Sequence, residues 1–131
     1  MMYLSGGIMK EITKENLKDF MDYYHDLHDS FIEEINYDVS DSKIEILIDV
    51  GWSGELIVKN SKTYNNKTKL KIILNNIETF NIKDYFLVDY INKAYIKYVK
   101  LENNEYICFA TDEKNPLIYV VCDYIEYKQV K

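Results

Sequence analysis

The two histidines of this chain, His25 and His28, stand within one short stretch, His25-Asp26-Leu27-His28-Asp29-Ser30-Phe31. Imidazole titrates near neutral pH and ligates metals through either ring nitrogen, so acid–base or metal chemistry would start here. Three residues apart on a helix, both imidazoles would share a face, and two neighbouring aspartates would add oxygen donors. The helical zinc motifs space their histidines differently or place a glutamate between them. No third histidine exists, and Cys108 and Cys122 lie far along the chain, on strands expected in the core. A histidine beside an aspartate can also serve as an oriented general base, with Ser30 close by in sequence. Acyl transfer further requires an oxyanion hole and a shaped nucleophile turn, and no G-x-S-x-G elbow is present. The glycines, Gly6, Gly7, Gly51 and Gly54, form no phosphate-cradling loop.

The reading that follows assigns no catalytic residue, no metal and no cofactor. His25, His28, Asp29 and Ser30 are then a structural junction. The imidazoles favour the negative end of a helix, and Asp29 or Ser30 ties off loose backbone groups. The alternative is a metal-assisted or acid–base enzyme centred on His25, His28 and Asp29.

The elements that must position this cluster are a helix before it and a strand after it. Thr13 is a fitting N-cap, with Lys14, Glu15 and Asn16 as the first turn. Leu17, Phe20, Met21 and Tyr24 then fall at i, i+3, i+4 and i+7, one apolar stripe over about three turns. From Phe31 the period changes to two. A turn at Ser40-Asp41 sets Tyr37 opposite Ile44 and Ile35 opposite Ile46, so both apolar rows share a face. Gly51-Trp52-Ser53-Gly54 connects to a short strand over Glu55 to Lys59, followed by a polar loop, Asn60 to Lys67. A strand from Thr68 to Asn75 comes next. Residues 77 to 92 fit no period and read as a long connection, with room for one helical turn. The C-terminal third reads as a meander: residues 93 to 102, a turn at Asn103-Asn104, Tyr106 to Thr111, and a central strand from Leu117 to Tyr127. The expected fold class is α+β, one N-terminal helix packed on a twisted, mainly antiparallel sheet of about six to seven strands. Residues 1–131 form a single domain, with 1–12 as a loose N-terminal tail.

Composition narrows the function classes. The chain has 131 residues, 47% apolar and 29% charged, which suits one ordinary core. Its sixteen basic residues are all lysine, so it lacks the guanidinium fork that reads phosphates and guanine. A net charge of −6 repels polyanions at long range. Tyr95, Lys97, Tyr98 and Lys100 interleave bases and rings on one strand, as sheet-based single-strand binders do. The overall charge argues against nucleic acid and leaves lysines guarding a sheet edge. No segment has the length of a membrane span, and no signal-type apolar region opens the chain. Two cysteines are too few for a secreted disulfide framework, so a cytoplasmic protein is expected. If residues 112 to 116 close a hairpin, Cys108 and Cys122 become near neighbours in the core. Thirteen tyrosines and a lone tryptophan suit a protein interface as well as a sheet. Trp52, Tyr64, Asp84, Tyr85 and Asp89 fall in loops or connections and are the interface candidates.

The order of these features resembles a group of small acidic bacterial proteins, some of them similar to the immunity proteins of polymorphic toxin systems. The resemblance is carried by the helix, His28-Asp29-Ser30, the Phe-Ile-x-x-Ile-x-Tyr-Asp strand over Phe31 to Asp38, and the Tyr/Ile-rich meander. It implies a non-catalytic binder that covers a toxin's active site or essential surface. The chain itself is expected to be a monomer or weak homodimer. Acidic residues would steer it toward a basic partner.

Overall fold

The computed structural model describes residues 8–50, 69–83, 90–91, 93–112 and 116–130. Strands β1 (Lys10–Glu11), β2 (Ser30–Asp38), β3 (Lys43–Asp49), β4 (Lys69–Ile82), β5 (Tyr90–Ile91), β6 (Ala94–Leu101), β7 (Asn104–Thr111) and β8 (Ile118–Val130) form one sheet. Its order is β5-β2-β3-β4-β8-β7-β6, with β1 added on β8, and every pairing is antiparallel. The helix α1 (Leu17–Tyr23) precedes β2. The α+β class holds: one helix packed on an antiparallel sheet.

Chain connectivity shows that the sheet is rolled. Strands β5 and β6 end the strand order at opposite sides, yet only residues 92 and 93 separate them in sequence. Seven strands laid flat would hold those ends about 29 Å apart. Ile91 and Ala94 lie three peptide links apart and span at most about 11 Å. The sheet therefore curls back on itself, and the described residues show no ladder between β5 and β6 that would close it. One core cluster fills the inner face, with Ile44, Ile46 and Ile48 from β3, Leu70, Ile72 and Leu74 from β4, and Ile107 and Phe109 from β7. Phe20 and Tyr24 bring the helix stripe into it, and Phe20 meets Tyr127 of β8 edge-on at 4.7 Å.

The β2–β3 hairpin has the register that alternation dictates, with Tyr37 opposite Ile44 and Ile35 opposite Ile46. The helix is shorter than its stripe suggests, because Thr13 and Asn16 hold the turn before it. The Thr13 amide donates to Asn16 Oδ1 at 2.9 Å, and the Asn16 amide donates to Thr13 Oγ1 at 3.3 Å. Lys10 and Glu11 pair with Tyr127 and Glu126, and Ile12 is buried. The loose tail expected over residues 1–12 therefore does not extend to residues 10–12.

Three expectations are corrected. Residues 77 to 82 continue β4 rather than form a connection. Asn76 has φ 57°, and the register against β8 slips between Ile77 and Thr79. These two breaks reset the alternation and hide the strand from a period search. The β6–β7 turn is Glu102-Asn103, both at positive φ, so Leu101 pairs with Asn104. The cysteines fall nearly opposite but do not share one core. Ile107 pairs with Cys122 and Cys108 with Val121, and this offset of one sends the two thiols to opposite faces. Both are free and buried. Cys122 joins the main core, and Cys108 a small outer cluster with Ala110 and Val121.

Candidate functional site

The backbone at the histidine cluster leaves the right-handed region altogether. After Tyr24, residues His25, Asp26 and Leu27 have φ of 53°, 55° and 57°, and Asp29 has 61°. Each left-handed residue other than glycine costs about 1–2 kcal/mol. Several contacts hold the turn. The Leu27 amide donates to the Tyr24 carbonyl, and the His28 amide to the His25 carbonyl, each at 2.8 Å. Leu27 is fully buried, and the Asp29 amide donates to the Ile91 carbonyl of β5 at 2.9 Å. The cluster is thus the junction between α1 and β2, built as a left-handed turn and not as the end of an α-helix.

This turn lines an open cavity of about 510 Å³ whose walls are Met21, Asp22, His25, Asp26, His28, Asp29 and Lys93. His28 Nδ1 lies 3.1 Å from Asp29 Oδ2, and Lys93 Nζ lies 3.7 Å from Asp26 Oδ2. Both pairs are about half exposed to water, where an ion pair contributes about 0–1 kcal/mol. Asp22 is engaged by Lys18 at 2.8 Å. Ser30 does not line the cavity: it is buried, in register with Ile91. Ser30 is therefore not placed as the serine of a relay with these imidazoles. Among the described residues no three His, Cys, Asp or Glu side chains converge as a metal would require. The cleft thus presents two accessible imidazoles beside carboxylates.

A second groove, about 460 Å³, runs along the other side of α1 past Tyr23, Tyr24, Tyr127 and Lys128. Gln129 Nε2 donates to the Tyr24 hydroxyl at 2.9 Å, while burial pushes that phenol up to about 12. Burial likewise pushes the Cys122 thiol up to about 12, which removes it as a nucleophile at neutral pH.

The five interface candidates, Trp52, Tyr64, Asp84, Tyr85 and Asp89, lie outside the described residues, as do the strand and loop expected over residues 51 to 67. The basic-aromatic run on β6 is split by the pleat. Tyr98 packs on the core and its hydroxyl reaches the Ile12 carbonyl at 3.5 Å. Tyr95 and Lys97 alternate with it and take the other face. Lys93 is the cleft residue that sequence reasoning missed. Only the roll of the sheet brings it to Asp26, and no local pattern announces that. No helix among the described residues is long and apolar enough to cross a membrane. No protein-family model, no curated protein and no solved structure matches this chain.

Proposed function

We propose that this protein is a non-catalytic, cytoplasmic protein-binding module, similar in role to an immunity protein that binds and neutralises a toxin. The observation that carries the reading is a set of aromatic side chains left exposed on strands. Phe31, Tyr37, Phe80, Tyr119 and Tyr124 all face solvent, in a chain of net charge −6. Rings fixed on strands lose little freedom on docking, and the negative field attracts a basic partner. The test is a native pull-down and a neutralisation assay with the products of neighbouring genes. Stable binding of one such product, with rescue of its toxicity, is the expected outcome. A chain that is fully stable alone and binds or neutralises none of them counts decisively against the proposal.

A second reading is favoured by the strained turn, because left-handed residues clustered beside titratable groups are a recurrent feature of reactive sites. In it, His25, His28 and Asp29 perform acid–base or metal-assisted chemistry in the cleft. Titration with zinc and with manganese decides the metal form. Heat release and a thermal shift, both lost in His28→Ala, would sustain it, and their absence ends it.

A further inference from the structure

A second hydrophobic cluster lies on the outer face of the sheet. Cys108, Ala110 and Val121 are buried there, with Val99 and Tyr106 packed against them. The register explains the grouping: Cys108 pairs with Lys97 and Val121, and Ala110 with Tyr95 and Tyr119. These residues alternate with Ile96, Phe109 and Val120, which fill the inner core, so they point the other way. The cluster continues into exposed apolar surface, with Tyr119 39% and Leu101 41% exposed. Helix α1 packs on the inner core through Phe20 and Tyr24, so it does not cover this face.

The charge pattern sets the face apart. On the outer side of β3 and β4, lysines and glutamates pair, Glu45 with both Lys43 and Lys71. That is how the solvated face of an antiparallel sheet usually looks. Across β6, β7 and β8, the outward positions within 95–101, 106–110 and 119–121 hold one charge, Lys97. Carboxylates stand at the ends of this patch. Glu102 lies in the β6–β7 turn, and Asp123 accepts from Asn76 Nδ2 at 3.2 Å.

We infer that this face is where two copies of the chain meet, outer sheet on outer sheet. Two chains of net charge −6 repel each other wherever acidic surfaces approach. The tyrosine face lets apolar surfaces meet without opposing carboxylates at the centre. In a two-fold contact each Lys97 meets the rings of the other copy. The chain already makes such pairs internally, Lys14 over Tyr98 at 5.2 Å and Lys93 over Tyr95 at 5.5 Å. A basic partner would find a lysine at the centre instead of an acid, so the inference goes beyond the binding-module reading. Three strands, about 14 Å wide and 20 Å long, offer about 300 Å² per copy, against about 800 Å² per partner in a stable complex. The dimer is therefore weak.

The experiment is sedimentation of the full chain from micromolar to millimolar concentration, with backbone amide shifts recorded at both ends of that range. A monomer should give way to a dimer, and the shifts should concentrate at residues 95–101, 106–110 and 119–121. Added salt should tighten the dimer, because it screens the repulsion between two acidic copies. Lys97→Glu and Leu101→Glu each set carboxylates against their own copies and should weaken the dimer by about tenfold or more. Tyr37→Glu, at the exposed hairpin tip, should leave it unchanged. Thermal unfolding of the variants should match the parent, since all three side chains are exposed; should any fail to fold, the shift map of the parent decides. A monomer throughout, loosening by salt, shifts centred elsewhere, or undiminished dimers in both Lys97→Glu and Leu101→Glu would each overturn the assignment. So would a neighbouring gene product that occupies this face of a chain that stays monomeric alone, although the module reading would then stand.

Discussion

His25, Asp26 and Leu27 take positive φ in succession because the chain must turn from α1 into β2 while Leu27 drops into the core. Glycine pays no steric penalty there, whereas a β-branched residue clashes. His25→Gly should therefore keep or raise the melting temperature, and His25→Val should lower stability by about 1–2 kcal/mol relative to it in urea unfolding. Equal stability of the two variants would mean that the turn relaxes. A second residue-level consequence concerns alkaline pH. Burial raises the Cys122 thiol from its ordinary value of 9.0 to about 12, and Tyr24 from 10.0 to about 12. Both groups are favoured protonated in the folded state, so their contribution is complete below pH 9 and is lost as pH rises through about 12. The unfolding midpoint should fall across that window, and Cys122→Ala, though less stable at pH 7, should show a shallower fall. The histidine cluster was legible in the sequence because histidine is rare in this chain. Its left-handed backbone was not, since His, Asp and Leu carry no signal equivalent to glycine.

At the scale of elements, legibility followed the regularity of the alternation. The β2–β3 register could be read because apolar residues alternate over Ile35 to Val39 and Ile44 to Ile48 next to the turn, while the bulge between Ile32 and Glu34 lies further back. In β4 the same rule fails beyond Asn75, where Asn76 and the slip after Ile77 each shift the pattern. The β6–β7 turn shows a subtler limit. Asn103-Asn104 suits positive φ better than Glu102-Asn103, but the pairing obtained brings Ile96 onto Phe109 and Tyr98 onto Ile107. Core packing thus overrides the local preference of the turn residues. A testable cost remains at Glu102, which holds φ 51° in a two-residue connection. Replacing Glu102-Asn103 by Asn-Gly should raise stability by about 1 kcal/mol, seen as a higher urea midpoint at unchanged slope. A loss of stability would place the strain elsewhere in the hairpin.

The roll of the sheet is a property of the whole molecule, and it hangs on a very short segment. Ile91 pairs with Ser30, and its carbonyl accepts the Asp29 amide; the Lys93 carbonyl accepts the Asp112 amide at 2.7 Å. Residues 91 and 93 thus fasten the start of β2 to the end of β7, the two sides that a flat sheet would hold apart. Sequence could not reveal this, because neither a two-residue strand nor a single lysine leaves a periodic trace. Ile91 is fully buried and belongs to the core that both sides share, so Ile91→Ala should cost about 2–5 kcal/mol. The distribution of that loss carries the information. If this segment clamps the roll, hydrogen exchange should quicken at the Asp29 and Asp112 amides together and spread into the β2–β3 and β6–β7 ladders alike. Loosening confined to Ser30 and Phe31, with the β6–β7 ladder as protected as in the parent, would show that the sheet is held curled by α1 and the core alone.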